Sequence, residues 1–161
     1  MLKKTVFFII FSLVVIQFIP IDKTNPKIDE TVSLHTDAQV MKILKKSCYD
    51  CHSNETKYSI YADIAPLSFG VASHISDARE ALNFSNYKNI SDDIKKARLQ
   101  RAIKTIKNEM MPLPGYLMFH DEAKMTEEER EILVRWFERE LERYSSLSLK
   151  SHYNKHPQKL K

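Results

Sequence analysis

Two cysteines and a histidine lie together in a chain of 161 residues that has no other cysteine. Cys48 and Cys51 are separated by two residues, and His52 follows directly. On one helical turn, two thiols at this spacing can each form a thioether with a vinyl group of one porphyrin, and the next residue can present its imidazole to the iron. The C-x-x-C-H pattern therefore predicts one covalently attached haem c, with His52 as the proximal iron ligand.

Two other kinds of site share part of this pattern. A C-x-x-C pair in a β-α-β context is typical of a thioredoxin-like dithiol, but the sequence shows no β-α-β pattern. A zinc site needs about four ligands, and only Cys48, Cys51 and His52 cluster here. Haem c accounts for all three residues, whereas each alternative leaves something unexplained.

The second axial position of the iron is commonly filled by methionine or histidine in small electron carriers. Met111 is the leading candidate because it lies between a predicted helix and Pro112, on a constrained loop. A packing role for Met111 is the alternative, since methionine often fills gaps in a core. A vacant position also stays open, as do other candidate ligands: Met110, His74, Met118, His120 and Met125.

Further residues are candidates for contact with the haem. Arg79 is a candidate partner for a propionate, because a guanidinium matches a carboxylate in a bidentate fork; an exposed helix charge is the favoured alternative. Asn83 could bind a propionate, but a helix cap is the favoured role. Tyr58 and Tyr61 are either packed over the haem edge or ordinary loop aromatics.

Composition and periodicity predict an all-α fold. The chain has only two glycines, which disfavours tight β-hairpins. Apolar residues at helical spacing predict a small domain of about four helices, comparable to cytochrome c, over residues 36–144. The first helix is expected to open with a capping box at Thr36 and Gln39, and the fourth with one at Thr126 and Glu129. The expected helices span residues 36–46, 65–82, 91–110 and 126–144.

The first 21 residues predict a signal anchor. Two lysines precede residues 6–19, which are apolar apart from Ser12 and Gln17. Small residues of a cleavage site are missing around Pro20, so an uncleaved transmembrane anchor is favoured over a removed signal. The positive-inside rule keeps the lysines cytoplasmic. The rest of the chain is then expected on the periplasmic side of a bacterial inner membrane, where haem c is attached.

The remaining segments are predicted to be connectors. Residues 22–35 contain Pro26, charges and little periodicity, and we expect a tether between anchor and domain. Much of the net charge of +4 comes from the two ends, because residues 145–161 carry four lysines and no acid. This basic tail is expected to be disordered. The domain between is mildly acidic, so a nucleic-acid partner is not expected.

Several segments resemble the haem-binding domain family, a group of single-haem c-type cytochromes of Gram-negative bacteria. The likeness runs from about Ile16 to Tyr144. The most specific parts are the Ser-Asn-Glu-Thr extension after the haem motif and a Leu-Asn-Phe-Ser segment. The segments are Ile16-Gln17-Phe18-Ile19-Pro20, Thr24-Asn25-Pro26, Cys48-Tyr49-Asp50-Cys51-His52-Ser53-Asn54-Glu55-Thr56, Leu82-Asn83-Phe84-Ser85, Glu109-Met110-Met111-Pro112-Leu113-Pro114 and Leu133-Val134-Arg135-Trp136-Phe137.

The resemblance implies a cytochrome c-like arrangement. A first helix carries the haem motif, a loop supplies a methionine, and a Trp-Phe pair on the last helix packs against the first. The expected function is electron transfer with redox partner proteins, without enzymatic activity. A haem-based sensor, or an accessory haem subunit of a periplasmic peroxidase, is the alternative, and either would need a weak or open sixth iron position.

Overall fold

The computed structural model describes the backbone of residues 1–155 and the side chains of residues 1–146. It is entirely helical over that part of the chain, as the sequence predicted. Seven α-helices alternate with three short 3-10 helices. The α-helices are α1 (Leu2–Ile16), α2 (Ala38–Ser47), α3 (Tyr49–His52), α4 (Leu67–Ala81), α5 (Asp92–Lys107), α6 (Pro114–Leu117) and α7 (Glu127–Lys155), and the 3-10 helices are Ile60–Asp63, Phe84–Asn89 and Asp121–Ala123.

The core lies where α2, α5 and α7 meet. Helix α7 packs along α5 and also contacts α2. Trp136 and Phe137 of α7 are both buried, with their rings edge to face at 4.7 Å. Leu44 of α2 and Leu99 of α5 are completely buried in the same apolar cluster. The predicted packing of the Trp-Phe helix against the helix before the Cys-x-x-Cys-His motif is therefore confirmed.

Capping signals located the helix starts with one error. Thr126 and Glu129 form the predicted reciprocal box, because the Glu129 carboxylate accepts from Thr126 N–H at 2.9 Å and the Thr126 hydroxyl accepts from Glu129 N–H at 3.1 Å. For α2 the cap is Asp37, whose carboxylate accepts from Val40 N–H at 2.9 Å. The predicted box at Thr36 was wrong by one residue, since a carboxylate one position later serves the same orphan amide.

Two helix ends also differ from the prediction. We expected Pro112 to end the third helix after Met110, but α5 already ends at Lys107. The last helix was expected to stop near Tyr144, with a disordered tail over residues 145–161. Instead α7 continues to Lys155, and only residues 156–161 lie outside the described residues.

Residues 22–35 are attached to the domain, so the prediction of a loose tether was wrong. Asn25 accepts from Thr56 N–H at 3.2 Å and donates to the Thr56 carbonyl at 2.9 Å. Leu34 is buried, and its N–H donates to the Phe84 carbonyl at 2.8 Å. Pairing with distant backbone groups replaces the periodicity that sequence patterns detect.

Helix α1 contributes nothing to the core. None of its residues is buried, and its apolar side chains are exposed. Within residues 1–155, none of the helices is both long enough and apolar enough to cross a membrane.

Candidate functional site

The Cys-x-x-Cys-His motif forms a single helical turn. Cys48 ends α2 and precedes α3, with φ −130° and ψ −34°, so the chain bends there. Its carbonyl accepts from Cys51 N–H at 3.2 Å and from His52 N–H at 2.9 Å. These bonds close the turn and bring both thiols and the imidazole to the wall of one cavity of about 830 Å³. This volume is typical of cofactor sites.

His52 is held in the tautomer that a metal ligand requires. Its Nδ1 lies 2.9 Å from the Leu82 carbonyl, which can only accept, so Nδ1 carries the proton. Nε2 therefore keeps a free lone pair. Burial lowers the pKa of His52 below its ordinary value, and this outweighs the hydrogen bonds to backbone carbonyls that raise it. At neutral pH the ring is uncharged and can bind iron through Nε2.

The two thiols are protonated and separate. Burial raises the pKa of Cys48 to about 12, with a smaller contribution from Cys51. Burial, then the Asp50 carboxylate, raises the pKa of Cys51 to about 11. Reactive dithiols have a lowered pKa instead. Together with the absence of strands from residues 1–155, this disfavours a thioredoxin-like function. No group of three or more potential metal-binding His, Cys, Asp or Glu side chains occurs among the described residues.

The rest of the cavity wall suits a flat apolar ligand with acidic ends. Apolar side chains from α4 to α7 line most of it, including Leu82, Phe84, Leu113 and Phe137. Helix α5 contributes one face at helical spacing, on which apolar and cationic residues mix. The members of this α5 face are Ile94, Ala97, Arg98, Arg101, Ala102, Thr105 and Ile106. A porphyrin with two propionates has this combination of requirements, so the residues present fit a haem.

Arg98 and Arg101 are cavity residues that the sequence interpretation missed. We assigned the basic residues of this helix to the face opposite its apolar stripe. Both arginines line the cavity, however, and neither forms an ion pair within the described residues. Ile94, expected in the core, is 51% exposed and lines the same cavity. The signal was available, since Arg98 and Arg101 follow Ile94 by four and seven positions, one helical face.

The structure separates the candidate sixth ligands into two groups. Met111, His74 and Met125 line the cavity. Met110 is 55% exposed and Met118 is 79% exposed, and neither lines it. The remaining candidate, His120, is held elsewhere: its Nε2 accepts from the hydroxyls of Tyr61 (2.7 Å) and Ser59 (3.0 Å), and its Nδ1 donates to Glu122 at 2.8 Å.

The end of α5 determines which methionine turns inward. Glu109 has a positive φ of 54°. Its N–H donates to the Ile106 carbonyl at 3.1 Å, and Met110 N–H donates to the Thr105 carbonyl at 2.9 Å. This pair of bonds is a Schellman motif, which reverses the chain direction after a helix. Met110 is left in solvent, whereas Met111 is half-buried and packs against the core.

Arg79 binds the protein itself. It does not line the cavity. Its Nε donates to the Ser53 carbonyl at 2.8 Å, and one terminal nitrogen donates to Asn25 at 2.7 Å and to the Thr56 hydroxyl at 3.0 Å. Neither a propionate contact nor a solvated helix charge, the two expectations for Arg79, corresponds to this arrangement.

Two segments next to the cavity bind each other. The Ser85 hydroxyl accepts from Asn54 N–H at 3.0 Å, and Asn83 donates to the Asn54 side chain at 2.9 Å. Asn83 also caps the following 3-10 helix by accepting from Ser85 N–H at 2.9 Å, as favoured from the sequence. The Ser-Asn-Glu-Thr and Leu-Asn-Phe-Ser segments thus form one framework, and Leu82 of this framework orients His52.

The tyrosines form a cluster beside the cavity. Tyr58 and Tyr61 do not line it, but Tyr116 of α6 does. The Tyr116 hydroxyl donates to Asp50 at 2.7 Å, and its ring stacks on His120 at 4.2 Å. Burial, followed by this hydrogen bond to Asp50, raises the pKa of Tyr116, so it remains protonated and can donate. Its α6 position after Pro114 gave no sequence signal for a cavity residue.

Comparison with known proteins agrees with the cavity. A sequence model of a family described as a haem-binding domain matches residues 11–139. The match therefore begins inside α1, includes residues 22–35, and ends within α7. Searches of curated proteins and of solved structures gave no match.

Proposed function

Because the chain belongs to the haem-binding domain family, we propose that it is a c-type cytochrome that carries one covalently bound haem and transfers electrons. The observation that supports this most directly is the convergence of Cys48, Cys51 and His52 on one largely apolar cavity. Free thiols, a neutral imidazole and a cavity of suitable size are all present together. Covalent attachment would use both thiols, each forming one thioether.

The chain supplies distinct groups for each part of the cofactor. His52 would bind the iron through Nε2, with Leu82 holding the ring. Met111 would provide the thioether ligand of the other axial position, from the loop after α5. Arg98 and Arg101 would neutralise the propionates, in the role that we first assigned to Arg79. Bound haem supplies an iron that cycles between the ferrous and ferric states.

Electron transfer is favoured over chemistry on a substrate. An iron with two protein ligands has no free position for a substrate, and Met111 is available on the cavity wall. The alternative is a sensor or an accessory haem subunit of a periplasmic peroxidase. It remains a candidate because His74 and Met125 also line the cavity, which leaves the sixth position a matter for experiment.

We also propose that α1 anchors the domain to the periplasmic side of the bacterial inner membrane. Helix α1 exposes apolar side chains along its length, including Phe7, Ile10 and Val14. A helix that is apolar all round is stable only in apolar surroundings. The lysines at its start and the need for export of a haem c protein support the same orientation.

Covalent haem staining of the denatured full-length protein, made with the c-type maturation machinery present, tests the cofactor. We expect a stained band in the wild type and none in Cys48→Ser/Cys51→Ser. An unstained wild-type band would contradict haem c.

The sixth ligand is tested separately by absorption spectroscopy. Met111→Ala should lose the long-wavelength methionine–iron absorption of the ferric protein, and its ferrous form should then bind carbon monoxide. Met110→Ala is the matched control and should behave like the wild type. Rapid carbon monoxide binding by the wild type would instead favour the sensor or peroxidase-subunit alternative.

A further inference from the structure

Five exposed apolar side chains surround the point where α1 joins the domain; we call them the collar. They lie on two stretches of chain: the segment after α1, and the segment from the 3-10 helix Ile60–Asp63 to the start of α4. Their exposed fractions are 81% for Phe18, 54% for Ile19, 81% for Ile60, 50% for Ile64 and 51% for Leu67. Such clustering of large apolar side chains marks an interaction surface.

Gln17 fastens the two stretches to each other. Its Nε2 donates to the Ala65 carbonyl at 2.9 Å, and its Oε1 accepts from Ala65 N–H at 3.0 Å. Ala65 lies between Ile64 and Leu67 of the collar, and Gln17 directly precedes Phe18. The end of α1 and the start of α4 are therefore held as one surface.

The polar groups inside this surface are already paired. Gln17 is one of two polar residues between positions 6 and 19, and its amide also donates to the Leu13 carbonyl at 2.8 Å. Asp63, the acid between Ile60 and Ile64, forms an ion pair with Lys23. In a bilayer, polar groups must find partners within the protein, and these groups have done so. A surface facing water has no such requirement.

We propose that the collar enters the same bilayer as α1, so that the domain rests on the membrane in one fixed orientation. This rests on the membrane anchoring proposed above. A lipid bilayer is favoured over a second copy of the chain because α1 is apolar all round, and a protein partner would cover only one of its faces. The collar continues this apolar surface onto the domain, and residues 22–35, attached to the domain, leave no slack between them.

Lipid photocrosslinking tests the proposal on the full-length, haem-loaded chain. The protein is placed in phosphatidylcholine vesicles that contain a diazirine-labelled phosphatidylcholine, and crosslinked peptides are identified by mass spectrometry. We expect crosslinks in α1, at residues 18–19 and at residues 60–67. Met118 and Phe119 are the internal control, because they are equally exposed apolar residues elsewhere on the domain and should remain unlabelled.

Two variants separate the collar from the anchor. In Gln17→Leu the clamp is lost, so crosslinks at residues 60–67 should fall several-fold while those in α1 persist. Gln100→Leu, at an exposed glutamine of α5, is the matched control and should leave all crosslinks unchanged. Ile64→Asp/Leu67→Asp should also remove the crosslinks at residues 60–67, whereas Met118→Asp should not.

The outcomes distinguish this inference from the anchor. Labelled α1 with unlabelled residues 60–67 in the wild type would overturn the collar and leave the anchor intact. Unlabelled α1 would overturn both. Protein–protein crosslinks between residues 60–67 of isotopically distinct copies, in place of lipid crosslinks, would show that a second copy covers the collar. Covalent haem staining is independent of all three results.

Discussion

Replacement of Arg79 by alanine tests how the loop after the haem motif is held. Arg79 lies on α4 and donates to Ser53, Asn25 and Thr56 at 2.8, 2.7 and 3.0 Å. These acceptors belong to two other segments, the loop after His52 and residues 22–35. Arg79→Ala removes three links at once and leaves the two segments joined to each other only through Asn25 and Thr56.

The expected cost follows from the number and kind of these bonds. A hydrogen bond from a charged donor contributes about 1.5–3 kcal/mol net. Arg79 is half-buried, so water can replace part of each bond, and the three are not independent. We therefore expect the free energy of unfolding to fall by about 2–4 kcal/mol. For a chain of this size, this lowers Tm by roughly 5–15 °C.

Thermal unfolding of the haem-loaded protein, followed by far-ultraviolet circular dichroism, measures this loss. Arg79→Lys keeps the charge but not the planar fork, and should recover little of the stability. Arg98→Ala is the comparison variant because Arg98 lines the cavity. Its main effect should be a lower midpoint potential, by tens of millivolts, since a positive charge near the haem favours the reduced form.

One result would refute the assignment of Arg79 to the loop. If Arg79→Ala changed the unfolding free energy by less than about 0.5 kcal/mol, as for an ordinary surface residue, the three bonds would not stabilise the protein. If the same variant lowered the midpoint potential as Arg98→Ala does, Arg79 would contact a propionate after all. A large loss of stability with an unchanged potential supports the structure.

Three further variants test local features. Glu109→Gly should stabilise the protein by about 0.5–1 kcal/mol in urea unfolding, because φ is 54° there; a loss would mean that the Glu109 side chain matters more than the strain. The hydrogen bond from Lys46 lowers the pKa of Glu129, so this stability is present above its ordinary range and lost as pH falls. Glu129→Gln should therefore cost about 0.5–1.5 kcal/mol at pH 7 and little at pH 3, and an equal cost at both would contradict this. Lys95 is buried with Nζ 4.3 Å from the Tyr144 ring centre; Lys95→Met should cost about 1–2 kcal/mol, and increased stability would show that burying the charge costs more.

Some features depended only on neighbours in the chain, and the sequence sufficed for them. The Cys-x-x-Cys-His cluster is one helical turn, so its geometry follows from local hydrogen bonds. The capping box at Thr126 and Glu129 formed as predicted because both partners lie within four residues. Where two caps compete at adjacent positions, as Thr36 and Asp37 do, the sequence signal was wrong by one residue.

The cavity walls depended on packing between distant segments. Arg79 and Arg98 are both half-buried helix arginines, and only the rotation of α4 and α5 against their neighbours decided which one meets the cavity. Residues 22–35 lacked periodicity because their partners, such as Thr56 and Phe84, are far along the chain.

The pair Met110 and Met111 shows most clearly what the sequence determined and what it left to the tertiary structure. The sequence located a methionine next to Pro112, beyond a basic amphipathic helix, at a reasonable distance from the haem motif. Two adjacent side chains point in different directions, however, and the choice between them is a matter of backbone conformation. The left-handed Glu109 sets that conformation, and packing of Met111 against the core stabilises it. Local spacing therefore determined the ligands on one side of the cavity, while the other side required the folded chain, because its residues are brought together only by α5, α7 and the loop between them.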